Sequence, residues 1–288
     1  MLIAVTGASG HASVAGLHSE DRQGLLGLAR PAAEPVLVLT PRHRTAAARE
    51  QAHVLVAADP RARVCVLPLD HHALTLVLIA DALASSPAAA AGWPDPSEAV
   101  QLAQHYAARS HSLVWYRTLW GLDEPSPTGG QLASGLFLRT GYVRELAAAP
   151  AVIPARPGSP VPLGATVHHV AGAPALLASQ LGEVDLVPVE LALERGPYST
   201  RSSVELTLLA GTPSRSSRES RCSTCGAGLL GAQCPFCGHG PWAAGPPPTG
   251  PDRQAAASQA PDAAVPNPPG PPVPVGVGGP TPSESDVT

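Results

Sequence analysis

Three short runs of apolar residues, separated by longer mixed stretches, dominate the first 90 positions of the chain. They span Leu2 to Thr6, Pro35 to Thr40 and Val64 to Leu69. Continuous apolar runs of this length are typical of strands that are buried on both faces of a parallel sheet. Such strands need crossover helices, which are predicted at residues 13–29, 45–52 and 73–84. Residues 1–90 are therefore predicted to form a parallel-type α/β layer.

The pattern changes after residue 90. Residues 91–150 are predicted to be a helical segment, with Ser97 as an N-cap and one or two helices over residues 97–121. Residues 151–211 are predicted to be a β-rich segment, because residues 204–208 alternate between apolar and polar side chains. Residues 184–193 are predicted to form the neighbouring strand. The fold class expected for the whole chain is α/β, with helical and β-rich segments after the N-terminal layer.

Three smaller regions follow. Residues 212–221 are polar and are predicted to be a linker, and residues 222–240 hold four cysteines. Residues 241–288 are rich in proline and contain no leucine or isoleucine. A segment of this composition cannot bury enough apolar surface to fold, so it is predicted to be a disordered tail.

The charged residues narrow the chemistry. The chain has 288 residues and a formal net charge of −4, and all 18 of its basic residues are arginine. The absence of lysine excludes Schiff-base chemistry and a P-loop lysine. The N-terminus shows no targeting signal, and the longest apolar run carries Asp81 and Pro87, so no membrane partner and a cytoplasmic location are predicted.

The four cysteines near residue 230 give the sharpest chemical signal. Cys222 and Cys225 form one Cys-x-x-Cys-Gly motif, and Cys234 and Cys237 form a second. This spacing lets four thiolates surround one ion, which predicts a structural Zn²⁺ site. Two disulfides, or iron in a rubredoxin-like site, are the alternatives.

This motif resembles the short bacterial zinc-ribbon family over about 20 residues. The resemblance implies a small metal-held fold used for protein or nucleic-acid contacts. The function expected from it is a non-catalytic binding or adaptor protein, whose ribbon or proline-rich tail contacts a protein partner. Nucleic acid could bind at Arg215, Arg218 and Arg221 beside the ribbon, although three arginines are few and a solvated linker is the favoured interpretation.

The turn after the first apolar run supports an alternative function. Residues 6–11 read Thr-Gly-Ala-Ser-Gly-His, which resembles the opening of NAD(P)-binding short-chain-dehydrogenase-like proteins. The resemblance implies that Gly7, Gly10 and Ser13 line a pyrophosphate and that Arg42 meets a 2′-phosphate. The same segment resembles a degenerate P-loop of ParA/MinD-like ATPases. The alternative is therefore a degenerate nucleotide-binding enzyme or sensor.

A third motif follows the third apolar run. Asp70, His71 and His72 resemble the Asp-His-His motif of the DHH phosphoesterases, which bind Mn²⁺ there. Those enzymes also need an earlier pair of aspartates, and residues 18–21 have a different layout.

Overall fold

Strands and helices alternate along the chain in this computed structural model. The structure describes residues 1–9, 15–18, 20–21, 23–28, 34–117, 141–146, 152–155, 157–158, 160–170, 175–197, 203–209, 211, 221–229 and 233–237. The strands are β1 (Leu2–Thr6), β2 (Ala8–Ser9), β3 (Ala15–Leu17), β4 (Val36–Pro41), β5 (Val64–Leu69), β6 (His111–Tyr116), β7 (Tyr142–Glu145), β8 (Val152–Pro154), β9 (Thr166–Val170), β10 (Asp185–Val189), β11 (Ala192–Leu193) and β12 (Ser203–Leu208). The helices are α1 (Gly24–Leu28), α2 (Thr45–Ala58), α3 (Ala73–Ala84), α4 (Pro87–Ala90), α5 (Pro96–Arg109) and α6 (Ala175–Leu181), with a 3₁₀ turn at Arg42–Arg44. The chain divides into a unit of Met1–Ala243, which contains all of these residues, and a second unit of Ala244–Thr288.

The N-terminal strands form a four-stranded parallel sheet in the order β3-β1-β4-β5. Helices cover both of its faces. On one face, α1 and α2 bury Leu25 and Leu55 against Val36 and Val38. On the other face, α3 packs against β1 and β4. Burial on both faces explains why the sequence shows continuous apolar runs, and the expected α/β architecture with a parallel sheet is confirmed.

The predicted crossover helix over residues 13–29 is wrong. Strand β3 occupies Ala15–Leu17 and pairs in parallel with β1, and the helix that follows, α1, has only five residues. Gly16 explains the difference, because a Cβ at this position would lie 2.2 Å from the carbonyl oxygen of Ala8. The glycine permits a close backbone approach that no helix would need.

The second sheet has six strands in the order β10-β9-β12-β6-β7-β8. Two predictions are corrected here. The segment 111–116, predicted to be helical, forms the central strand β6, whose Trp115 and Tyr116 are fully buried. The strand within residues 184–193, β10, pairs with β9, so the neighbours of β12 are β9 and β6.

Helix α3 lies between the two sheets. It contacts β1 and β4 of the parallel sheet and β12 of the second sheet, and its residues 73–80 are all buried. A helix that is apolar on every side is expected in such a central position. No helix in the described part of the chain is both long and apolar enough to cross a membrane.

Candidate functional site

The candidate site lies at the carboxyl ends of the parallel strands. Open α/β sheets bind ligands at this edge, especially where the strand order reverses. Here β1 lies between β3 and β4, so the reversal falls beside β1. The loops after β1, β3, β4 and β5 bring Gly7, His18, the Arg42–Arg44 turn and Asp70 to this edge.

The turn at Gly7 does not lead into a helix, because strand β2 follows it directly. The φ of Gly7 is +87°, and a Cβ at this position would lie 2.9 Å from Nη1 of Arg44. Its N–H donates to the carbonyl of Leu17 at 2.7 Å, and the chain continues into β2. The guanidinium therefore covers the turn that was expected to hold a pyrophosphate. Gly10 and Ser13, the other two residues of that prediction, lie outside the described residues.

Arg44 is at the centre of a polar cleft of about 640 Å³. Its side chain is 9% exposed and contacts Glu194 through Nη1, while Nη2 donates to the carbonyl of Arg195 at 2.8 Å. Nε donates to Nε2 of His43 at 3.2 Å, and His18 binds the second carboxylate oxygen of Glu194 at 3.0 Å. The guanidinium is thus engaged on each of its three nitrogens by the protein itself.

A second, more apolar cleft lies at the ends of β4 and β5. Its volume is about 370 Å³, and it is lined by Arg42, His43, Leu69, Asp70, His71 and Leu146. We call it the carboxyl-edge cleft. Leu146 also packs against the buried cluster of Val114, Tyr116 and Tyr142 in the second sheet.

Arg42 and Asp70 form an exposed ion pair at the mouth of this cleft. Nη2 of Arg42 donates to Oδ2 of Asp70 at 2.7 Å, and Nε contacts Oδ1. The hydrogen bond from Arg42 holds the pKa of the Asp70 carboxyl below its usual range. For Nη1 of Arg42, the described part of the chain shows no hydrogen bond. Asp70 thus binds two of the three nitrogens of the guanidinium that was predicted to contact a 2′-phosphate.

His71 forms the inner wall of the cleft as a neutral ring. Nε2 lies 2.8 Å from the carbonyl of Ala107, which can only accept, so Nε2 carries the proton. Nδ1 therefore accepts from the hydroxyl of Ser112 at 2.6 Å. Burial lowers the pKa of His71, and burial together with the neighbouring Arg44 lowers that of His43.

His72 points away from the cleft and connects α3 to the second sheet. Nε2 lies 3.1 Å from the carbonyl of Leu113 and 3.0 Å from that of Leu206, while Nδ1 accepts from the N–H of Thr75 at 3.3 Å. The three side chains of the Asp70-His71-His72 motif thus have different partners and do not converge on an ion. Among the described residues, the cysteines are the only set of three or more His, Cys, Asp or Glu side chains that converge in this way.

The four cysteines of residues 222–237 converge on one point, as their spacing predicts. The sulfur of Cys222 lies 3.4 Å from that of Cys237, and the sulfur of Cys225 lies 3.4 Å from Cys234 and 3.8 Å from Cys237. All four ligand atoms lie within 4.8 Å of one another. Hydrogen bonds from the backbone N–H groups of Cys225 and Thr224 lower the pKa of Cys222 to about 6.

No protein-family profile matches the chain, and no curated protein matches its sequence. Several solved structures are similar to the chain. A DegV family protein from Eubacterium eligens, loaded with heptadecanoic acid, is 10% identical with a TM-score of 0.46, over 73% of this chain and 99% of that one. A DegV family protein from Corynebacterium glutamicum is 14% identical with a TM-score of 0.46, over 74% and 98%. A fatty-acid-binding DegV family protein from Thermus thermophilus is 15% identical with a TM-score of 0.41, over 66% and 75%.

These comparisons correct the identification made from the sequence. The resemblance to zinc ribbons, short-chain dehydrogenases or ParA/MinD-like ATPases is wrong as a description of the chain, since the matching structures are DegV family proteins. The zinc-ribbon adaptor and the nucleotide-binding alternative are overturned with it, as are Zn²⁺ and a nucleotide as the expected cofactors. At these identities and TM-scores, the likeness assigns this chain neither a family nor a ligand.

The sequence identified some site residues and missed others. Arg42, Asp70 and His71 stood out because each follows an apolar run. Leu146 and the carbonyl of Ala107 come from distant segments, and nothing local in the sequence marks them. Gly16 did carry a signal, since a glycine in the middle of a predicted helix favours another structure.

Proposed function

We propose that the chain binds a small molecule with an apolar body and a carboxylate end, of the fatty-acid class, in the carboxyl-edge cleft. The observation that carries the proposal is the composition of this cleft. Most of its surface is formed by apolar atoms, including the side chains of Leu69 and Leu146, and an exposed guanidinium and two imidazoles lie at the end of a parallel sheet. Small-molecule sites are usually apolar clefts of about 300–1,000 Å³ with a few polar groups that fix orientation.

The charged groups favour an anionic end group. Arg42 is the cation, and its side chain is 67% exposed, so a ligand can reach it. Asp70, the carboxylate in the lining, accepts from Nε and Nη2 of Arg42 and does not contact Nη1. A planar guanidinium is well suited to a carboxylate, because its N–H groups match the two oxygens.

The apolar lining favours a hydrocarbon body. Leu69 and Leu146 line the cleft. Leu146 also packs against the buried cluster of Val114, Tyr116 and Tyr142 in the second sheet. Burial lowers the pKa of His71 and so favours the uncharged ring next to a hydrocarbon chain. The polar cleft around Arg44 is less suited, because no apolar side chain of the described residues lines it and all three nitrogens of its guanidinium are engaged by the protein.

Calorimetric titration with oleate, below its micelle concentration, tests the proposal. We expect one oleate per chain, and we expect oleyl alcohol, which has the same hydrocarbon and no carboxylate, to bind at least tenfold more weakly. Arg42→Met should weaken oleate binding by about tenfold, the change expected for one charge-assisted hydrogen bond. Asp70→Asn should preserve or tighten binding, since it releases the guanidinium.

The matched control is Arg49→Met, which removes an exposed arginine from α2, outside the cleft lining. It should leave the affinity for oleate unchanged. The proposal fails if oleate does not bind, or if oleyl alcohol binds as tightly as oleate. Contacts of the ribbon or the tail with a protein or nucleic acid, and a cytoplasmic location, remain predictions from the sequence.

A further inference from the structure

Ser112 of β6 contacts two residues that line the carboxyl-edge cleft. Its hydroxyl lies 2.6 Å from Nδ1 of His71, and its carbonyl accepts from the N–H of Leu146 at 3.0 Å. His71 follows β5 of the parallel sheet, whereas Leu146 follows β7 of the second sheet. Ser112 is itself fully buried. It therefore joins two lining residues that come from different sheets, and it does so from within the protein.

The hydroxyl groups around Ser112 form a chain of hydrogen bonds with one direction. The carbonyl of Ala107 fixes the proton of His71 on Nε2, so Nδ1 accepts and the hydroxyl of Ser112 donates. A hydroxyl has a single proton, so Oγ1 of Thr75, at 2.7 Å, donates to Oγ of Ser112. By the same reasoning, Oγ1 of Thr207 donates to Oγ1 of Thr75 at 2.8 Å. The chain thus runs from β12, through α3 and β6, to the wall of the cleft.

All the hydroxyl groups of this chain are out of reach of water, since Ser112, Thr75 and Thr207 are fully buried. A hydrogen bond in such a place is strong, and water does not replace a partner that is lost. Without the hydroxyl of Ser112, Nδ1 of His71 would lose this donor, while Nε2 would keep its bond to Ala107. Without the hydroxyl of Thr207, the hydrogen bond from Ser112 to His71 would remain.

We propose that Ser112 is a positioning residue of the carboxyl-edge cleft, which holds the imidazole of His71 in a fixed place relative to Leu146. The two residues then border a preformed space for the hydrocarbon body of the ligand. This inference rests on the proposed function, because it concerns the same site. A cleft whose walls are fixed beforehand loses less entropy on binding, so its ligand binds more tightly. Ser112 acts on these walls and not on Arg42, so its effect should not depend on the end group of the ligand.

The position of His71 is tested without any ligand, by long-range ¹H–¹⁵N correlation spectra of the full chain. The variant His71→Gln identifies the resonances of His71 by their loss. In the wild type, Nε2 should carry the proton and Nδ1 should show the shift of a hydrogen-bonded acceptor. In Ser112→Ala, the Nδ1 resonance should move to the shift of an acceptor without a donor, whereas Thr207→Val should leave it in place. An unchanged Nδ1 resonance in Ser112→Ala would contradict the positioning role.

The effect on binding is tested by calorimetric titration with oleate and with oleyl alcohol. Ser112→Ala should weaken the binding of both ligands about fivefold, the change expected for the net contribution of one hydrogen bond. Arg42→Met should instead weaken the binding of oleate alone. Thr207→Val is the matched control, because it removes a buried hydroxyl from the far end of the same chain. It should bind both ligands as the wild type does.

Failure of the positioning role and failure of the proposed function give different results. If the wild type does not bind oleate, the proposed function fails, and the spectra still decide whether Ser112 holds His71. If the wild type binds oleate and Ser112→Ala binds both ligands equally well, the positioning role is overturned. It is also overturned if Ser112→Ala weakens the binding of oleate alone, or if Thr207→Val weakens binding as much as Ser112→Ala does.

Discussion

Replacing His72 by leucine removes one of the buried side-chain contacts between the N-terminus of α3 and the second sheet, at nearly constant volume. The imidazole is fully buried, and its Nε2–H is shared by the carbonyls of Leu113 and Leu206. Its Nδ1 accepts from the N–H of Thr75 and so caps α3. Leucine would leave all three backbone groups without this partner, in a place that water does not reach.

The expected cost follows from these three contacts. A buried polar group left without a partner costs about 1–3 kcal/mol, and the lower end applies to a carbonyl that has a second lone pair. Loss of a helix N-cap costs about 1 kcal/mol. Together these predict that His72→Leu lowers the free energy of unfolding by about 3 kcal/mol. With an m-value of about 2 kcal/mol/M, the urea midpoint falls by about 1.5 M.

Urea unfolding followed by circular dichroism measures this change, and two further variants isolate its cause. His53→Leu replaces an exposed histidine of α2 and should stay within about 0.5 kcal/mol of the wild type. His72→Gln carries an amide N–H that can reach the same carbonyls and should recover at least half of the loss. A loss for His72→Leu below about 0.5 kcal/mol would refute the reasoning, and so would a glutamine variant as unstable as the leucine variant.

Three further predictions follow from close contacts and from charge. Gly141→Ala places a Cβ 1.9 Å from Oε1 of Gln180 and 2.3 Å from Nε1 of Trp115. These two atoms are hydrogen-bonded to each other at 2.8 Å, and the new methyl group would force them apart. Thermal unfolding should therefore show that the free energy of unfolding falls by about 3 kcal/mol. Gly27→Ala in α1 meets no atom within 4 Å and should instead stabilise the protein by about 0.5–1 kcal/mol in the same assay. Because the pKa of Asp95 is lowered in the folded chain, its contribution is present above the unfolded value and is lost as the pH falls below about 4. Melting temperatures between pH 6 and pH 3 should therefore fall less steeply in Asp95→Asn than in the wild type, and equal slopes would contradict this.

The N-terminal sheet could be predicted from the sequence because its strands are buried on both faces. Residues 2–6, 64–69 and 73–84 form the elements that were predicted there, and β4 is shifted by one residue. The crossover helix was mispredicted because the approach of Gly16 to Ala8 is a tertiary contact. Residues 111–116 were mispredicted because their burial in a central strand depends on partners at residues 142–145 and 203–208.

The candidate site was only partly predictable, for the same physical reason. The sequence marked Arg42 and His71 only through resemblances to nucleotide-binding and Mn²⁺-binding families. It does not show that Asp70 binds the first and Ser112 the second. The cysteine cluster follows from local spacing. Its junction with the body depends on Asp95 and Gly228, which are 133 residues apart, and no local pattern connects them.

The location of the bound ligand tests the proposed function most directly. The full chain would be labelled with a long-chain fatty acid carrying a diazirine, and the labelled peptides mapped by mass spectrometry. We predict labelling in the peptides that contain Leu69 or Leu146, reduced by an excess of unlabelled oleate. Labelling confined to other parts of the chain, or unaffected by oleate, would contradict binding in the carboxyl-edge cleft.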